Sequence, residues 1–235
     1  MEMKVIGLIG GMSWESSLEY YRLLNQGVKE RLGPLASARV LMYSVNFQPL
    51  ETMMREGRWS DVAAELGDAA ERLERGGADF FLICTNTMHK MAGQVAQRVS
   101  IPLIHIGDAT GQAVKSQGLE RVGLLGTRFT MEEPFLKKHL LDRFDLETVV
   151  PDKTGREEVN RIIFDELCQG RILEESRLSL LNVIEDLAER GAQGVVLGCT
   201  ELPLLVKPGD TRIPMFDTTA LHAAQAVKFA LEALD

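Results

Sequence analysis

Residues 74–88 read ERGGADFFLICTNTM, and residues 189–203 read ERGAQGVVLGCTELP. Both carry Glu-Arg-Gly, an apolar run and then Cys-Thr at the same distance, and two of the three cysteines fall at these matched points. The echo extends to other stations. VIGLIGGMSWES near the N-terminus returns as RVGLLGTRFTMEE, with Gly7 and Gly10 matching Gly123 and Gly126, and IPLIHI from Ile101 returns as IPMFDT from Ile213. Three stations in one order at nearly constant spacing imply a duplicated unit, which confines the chain to two similar halves.

Within each half, short β-rich apolar runs alternate with segments of helical period: VIGLIG, SSLEYYRLLNQGVKERL, ARVLMYSVNF, SDVAAELGDAAERLERGGA, DFFLIC and IPLIHI. Such alternation predicts parallel sheets covered by helices on both faces. Ser60 reads as the cap of a helix over 61–75, in which Val62, Leu66, Ala69, Ala70 and Leu73 form one apolar stripe and Gly76 and Gly77 end it. The expected fold is α/β, with two pseudo-symmetric lobes that are each a mainly parallel sheet flanked by helices. The first lobe takes 1–112 and the second 113–216, and a C-terminal helix within 217–235, spanning roughly 218–233, joins the first.

The formal net charge is -8 and no window is dense in Lys or Arg, so nucleic acid is not expected as a partner. The N-terminal apolar run is broken by glycines, and no later run approaches a membrane span, so a cytoplasmic protein is expected. Three cysteines cannot all pair, and none makes a Cys-x-x-Cys spacing; free thiols in a reducing compartment follow.

GLIGGMSWES invites a dinucleotide reading, but Gly7, Gly10 and Gly11 give G-x-x-G-G rather than G-x-G-x-x-G. The turn has a simpler use. Gly10 and Gly11 let the backbone fold back so that the amides of Met12, Ser13 and Trp14, at a helix start, face a small anion such as a substrate carboxylate. Thr127 stands at the equivalent turn of the second half.

Each repeated cysteine ends an apolar strand and precedes polar residues: Cys84, Thr85, Asn86, Thr87 and Cys199, Thr200, Glu201. Ligands of open parallel sheets sit beyond the carboxyl ends of the strands. The hydroxyls and the amide can hydrogen-bond a substrate, and nearby helix N-termini are expected to lower the thiol pKa from about 8.5 toward neutrality. Two matched thiols suit inversion of a stereocentre, one removing a proton and the other delivering one to the opposite face. Cys168, in EVNRIIFDELCQG, has no repeat partner and reads as a packing residue. His89 and His105 lack metal-ligand spacing and read as packing or supporting residues.

Over nearly its full length the chain resembles the aspartate/glutamate racemase family, through GLIGGMSWES, LICTNTMHK, HIGDAT, LLGTRFTM and LGCTEL. The resemblance implies a cofactor-independent enzyme, needing neither pyridoxal phosphate nor a metal, that interconverts L- and D-amino acids. Cys84 and Cys199 would be its two acid/base thiols. Met12, Ser13, Trp14, Thr85, Asn86, Thr87, Thr127, Thr200 and Glu201 would bind the free amino acid, with Glu201 supporting Cys199. GGMSWES with CTNTMHK is most similar to the broad-specificity amino acid racemases of the family. Readers of the substrate side chain are sought at Gln48, near Met54, Arg55 and Arg58, and at Arg161. A homodimer is compatible with this reading. Alternatives left open are an aspartate-specific racemase, a hydantoin racemase, a maleate isomerase and an amino acid binding protein without turnover; retention of both cysteines argues against a one-thiol arylmalonate decarboxylase, and nothing in the spacing favours a thiol redox protein.

Overall fold

The computed structural model describes residues 2–232. The chain divides into two compact units, one running to Ile106 and resuming at His222, the other Gly107–Leu221. Positions 233–235 of the expected terminal helix lie outside the described residues.

In the first unit β1 (Ile6–Gly10) leads to α1 (Trp14–Leu32), β2 (Val40–Ser44), α2 (Phe47–Arg55), α3 (Trp59–Arg75), β3 (Phe80–Ile83), α4 (Ala92–Ala96) and the first residue of α5 (Ile106–Ser116). The second unit continues through β4 (Arg121–Gly126), α6 (Arg128–Glu132), α7 (Pro134–Phe144), β5 (Glu147–Val149) and α8 (Lys153–Arg161). It closes with α9 (Glu174–Glu189), β6 (Val195–Gly198), α10 (Leu202–Leu205) and β7 (Met215–Asp217), and α11 (Thr218–Leu231) then carries the chain back to the first unit.

The first sheet has strand order β2-β1-β3 and the second β5-β4-β6-β7, and every pairing is parallel. Parallel neighbours require long crossovers, which is why a helix separates most strands in sequence. The place that β7 fills beside β6 is reduced in the first unit to one parallel bridge, Phe81 to Leu103. Just beyond it the Ile104 carbonyl accepts from His222 Nε2 at 2.8 Å.

Period-two alternation sorts each strand between two cores. On β4, Val122 and Leu124 join Val114, Leu136, Leu140 and Val196 on one face, while Leu125 joins Val195, Leu197, Leu180 and Ile184 on the other. Both faces are therefore apolar, as a helix-covered parallel sheet demands. In the first unit Ile6, Leu8, Phe80 and Leu82 pack with Tyr20, Leu24 and Val28 of α1 and with Ala223, Ala226 and Val227 of α11. Each fully buried Leu or Val stabilises the fold by about 1.5–3 kcal/mol. Gly27 belongs to this contact: a Cβ there would stand 3.1 Å from Val227 Cγ2.

The stripe Val62, Leu66, Ala69, Ala70 and Leu73 on α3 is buried as its spacing predicts, and Gly76 caps the end. The start differs. The helix begins at Trp59, so Ser60 lies inside its first turn rather than capping it; Arg58 holds the N-cap position and pairs with Asp61 of that turn at 3.0 Å.

Candidate active site

In the first unit the chain reverses at the end of β1. Gly11 takes φ +91°, and a Cβ there would lie 2.2 Å from the Val45 carbonyl oxygen, so only glycine lets the turn pass the end of β2. Ser13 caps α1, its Oγ accepting from Ser16 N at 3.3 Å. The first amides of α1 have no acceptor within the helix, and the positive end of its dipole favours an anion there. Met12 is buried in the turn and Trp14 is exposed. Gln48 is exposed in the first turn of α2, which Asn46 caps.

Cys84 follows β3 directly, and its amide donates to the Ile9 carbonyl at 3.0 Å. Asn86 and Thr87 are buried and Thr85 half-buried. The turn before α1 and the Cys84 segment thus sit at the carboxyl ends of adjacent strands.

The second unit repeats the plan. Thr127 caps α6, its Oγ1 accepting from Thr130 N at 3.4 Å, and β6 beside it delivers Cys199. Cys199 Sγ–H donates to Glu201 Oε2 at 2.8 Å, and the Thr200 hydroxyl donates to the same oxygen at 2.7 Å. Arg161, at the end of α8, contacts both oxygens of Glu158 at 2.8 Å and Glu166 at 2.5 Å. These carboxylates raise its pKa, Glu158 first. Arg161 lines a pocket of about 220 Å³ with Arg128, Glu132, Arg156, Asn160 and Phe164.

The two cysteines match in sequence but not in sheet register. Ile9 and Leu125 hold the same place in GLIG and GLLG. Ile9 pairs with Ile83, one residue before Cys84, whereas Leu125 pairs with Leu197, two residues before Cys199. A one-residue step turns a side chain to the other face of a strand. Cys84 accordingly lies fully buried in the core of α1 and α11, and Cys199 stands partly exposed against the core that includes α9.

The expectation of acidified thiols is overturned. Burial pushes the Cys84 pKa up, and burial followed by the Glu201 carboxylate pushes Cys199 well up. Desolvation of a thiolate outweighs the helix-terminus effect at these positions. Cys199 retains some exposure, and the Glu201 carboxylate beside its sulfur adds a like charge and an acceptor for the thiol proton. Cys168 is exposed in a 3₁₀ turn, Leu167–Gln169, rather than packed in a core, because the helix unwinds there toward Gly170.

The sequence offered no sign of the contact Tyr20 Oη to His222 Nδ1, 2.8 Å, because the partners are far apart along the chain. His89, by contrast, lies four residues after Thr85 and bonds its carbonyl.

The family described as Asp/Glu/Hydantoin racemase matches residues 9–226. The chain belongs to this family. Among its relatives is the broad specificity amino-acid racemase RacX of Bacillus subtilis, 24% identical over 160 residues, a span covering 68% of each chain. Crystal structures are similar over nearly the whole length. A provisionally assigned Asp/Glu racemase from Yersinia pestis superposes with TM-score 0.93 at 48% identity, covering 97% of this chain and 100% of that one. An aspartate racemase homologue from Pyrococcus horikoshii OT3 gives TM-score 0.87 at 36% identity, covering 97% and 99%. Among the described residues no helix is long and apolar enough to cross a membrane.

Proposed function

We propose that the protein is a cofactor-independent amino acid racemase of the cytoplasm that inverts the α-carbon of free amino acids by two-thiol proton transfer. The observation that carries this reading is a cysteine directly after the strand beside β1 in one sheet and beside β4 in the other, each followed by a threonine. Since both thiols rest protonated, one must lose its proton before it can act as a base. Glu201 is placed to take the proton of Cys199, and the substrate ammonium adds a positive charge that favours the thiolate. The thiolate then removes the α-proton, and the electron pair left on carbon spreads into the substrate carboxylate. Amides at the start of α1 and hydroxyls of Thr85, Thr127 and Thr200 hydrogen-bond that carboxylate. Cys84 delivers its proton to the opposite face and is left as the thiolate that starts the reverse reaction. Inversion requires both sulfurs to reach the same carbon from opposite sides.

Broad specificity, including neutral amino acids, fits the state of two of the three cations sought as side-chain readers. Arg58 is held by Glu56 and Asp61, and Arg161 by Glu158 and Glu166. An acidic side chain would have to displace a carboxylate to use either. The test is incubation of single enantiomers of acidic and neutral amino acids in heavy water, followed by chiral chromatography and mass spectrometry. Inversion with deuterium at the α-carbon is expected, and turnover of aspartate alone would replace broad specificity with an aspartate-specific racemase. Binding of amino acids with no exchange in any of them would sink the catalytic reading.

A further inference from the structure

Three of the four histidines meet in the first unit, behind the Cys84 segment. His89 and His105 pack edge to face with centroids 4.6 Å apart, and His89 and His222 lie 5.6 Å apart. Among the described residues no group of His, Cys, Asp or Glu is arranged to hold a metal ion, so the cluster needs another account.

Its hydrogen bonds fix His89 at both nitrogens and His222 at one. A carbonyl only accepts, so His222 Nε2 carries the proton it donates to Ile104 O; burial favours the neutral ring, whose Nδ1 then accepts from the Tyr20 hydroxyl. By the same logic His89 Nδ1–H donates to the Thr85 carbonyl at 2.8 Å, and its bare Nε2 accepts from the Ile106 amide at 3.1 Å. Both rings are buried and neutral in this arrangement. The contacts are also placed where the chain changes unit. Ile106 is the last residue before the second unit, and His222 the first after it.

Building on the racemase reading, we infer that His89 is a positioning residue: through Nδ1–H it holds the Thr85 carbonyl, and with it the backbone that carries Cys84, fixed against the point where the chain leaves the first unit. Its role is geometric, and no proton passes through it. A thiol displaced by about 1 Å loses on the order of a hundredfold in rate.

Two substitutions separate the two contacts. In His89→Asn the shorter carboxamide places its nitrogen near Nδ1 and keeps the Thr85 contact; in His89→Gln the longer one reaches the Ile106 amide and gives up Thr85. His89→Gln is expected to lower kcat about a hundredfold with KM little changed, whereas His89→Asn stays within about tenfold of wild type, although both lose stability. Racemisation has an equilibrium constant of unity, so kcat/KM must fall equally in both directions. The α-deuterium isotope effect instead grows for the enantiomer that Cys84 deprotonates. Equal kcat losses in the two variants, or a fall in melting temperature with kcat intact, would overturn the inference while leaving the racemase reading standing. A wild-type protein that inverts no amino acid overturns both. Should neither variant fold, ¹⁵N spectra of the wild-type imidazoles decide: protonated Nδ1 on His89 supports the arrangement, and protonated Nε2 refutes it.

Discussion

The Cys199 thiol donates to the Glu201 carboxylate at 2.8 Å, which makes Glu201 both a brake and an outlet for that thiol. As a hydrogen-bond acceptor and a like charge, the carboxylate favours S–H over S⁻. In the proposed mechanism it also receives the proton when a substrate cation arrives. Glu201→Gln therefore lowers the Cys199 pKa while slowing inversion. In a chain with the other cysteines replaced by serine, the pH midpoint for iodoacetamide alkylation is expected to move down, though burial keeps it above the ordinary thiol range. With all three cysteines present, kcat should drop about tenfold to a hundredfold. An upward move of the alkylation midpoint would contradict the assigned contact.

Under the two-thiol proposal, single replacements of Cys84 or Cys199 by serine remove one proton carrier from the pair. A serine hydroxyl is far too weak an acid to replace a thiol, so each variant should lose about 10²–10⁴-fold in inversion of either enantiomer. The side chains differ little in volume, and circular dichroism should report native secondary structure for both. Retained inversion in either variant would leave the two-thiol scheme without support.

The turn before α1 tests how much of the site depends on backbone shape. Gly11 and Gly33 both have positive φ, +91° and +109°, but only at Gly11 would a Cβ meet backbone, whereas at Gly33 nothing lies within 4 Å. Gly33→Ala should cost about 1 kcal/mol from conformation alone, and Gly11→Ala about 3 kcal/mol or more, since strain and collision add. Urea unfolding of the two variants measures the difference; equal costs would mean that β2 yields freely to the turn.

The contrast between those glycines also marks what a sequence reveals. Gly10 and the Cys-Thr pairs announced the strand ends because close backbone approach and alternation leave local signatures, and α3 disclosed its buried stripe through spacing alone. The one-residue offset in register left no such mark: it is set by which β1 or β4 carbonyl each incoming strand meets, and the matched Cys-Thr pairs hide it. Thiol acidity was misjudged for a related reason. Desolvation depends on what packs over a side chain, and α11, which covers Cys84 in part, is contributed from the far end of the chain. The contacts of Tyr20 and His222 belong to the same class.

His222 gives that long-range packing a pH signature. Burial, followed by the nearby His105, lowers its pKa from the ordinary 6.5 to about 3, against the raising effect of the Ile104 carbonyl. The folded protein therefore holds this ring neutral where the unfolded chain would protonate it. The resulting contribution is complete above about pH 6.5 and falls by about 1.4 kcal/mol per pH unit as pH drops toward 3. His222→Gln removes the titration while retaining a polar side chain. Between pH 7 and pH 5, wild-type stability from urea unfolding should fall by about 2 kcal/mol more than that of the variant. Carboxylates titrate in both proteins, so their share cancels in the difference. If the two proteins lose stability in parallel, His222 gains its proton while folded. The Tyr20 contact at Nδ1 would then reverse, with Nδ1–H donating to the hydroxyl oxygen.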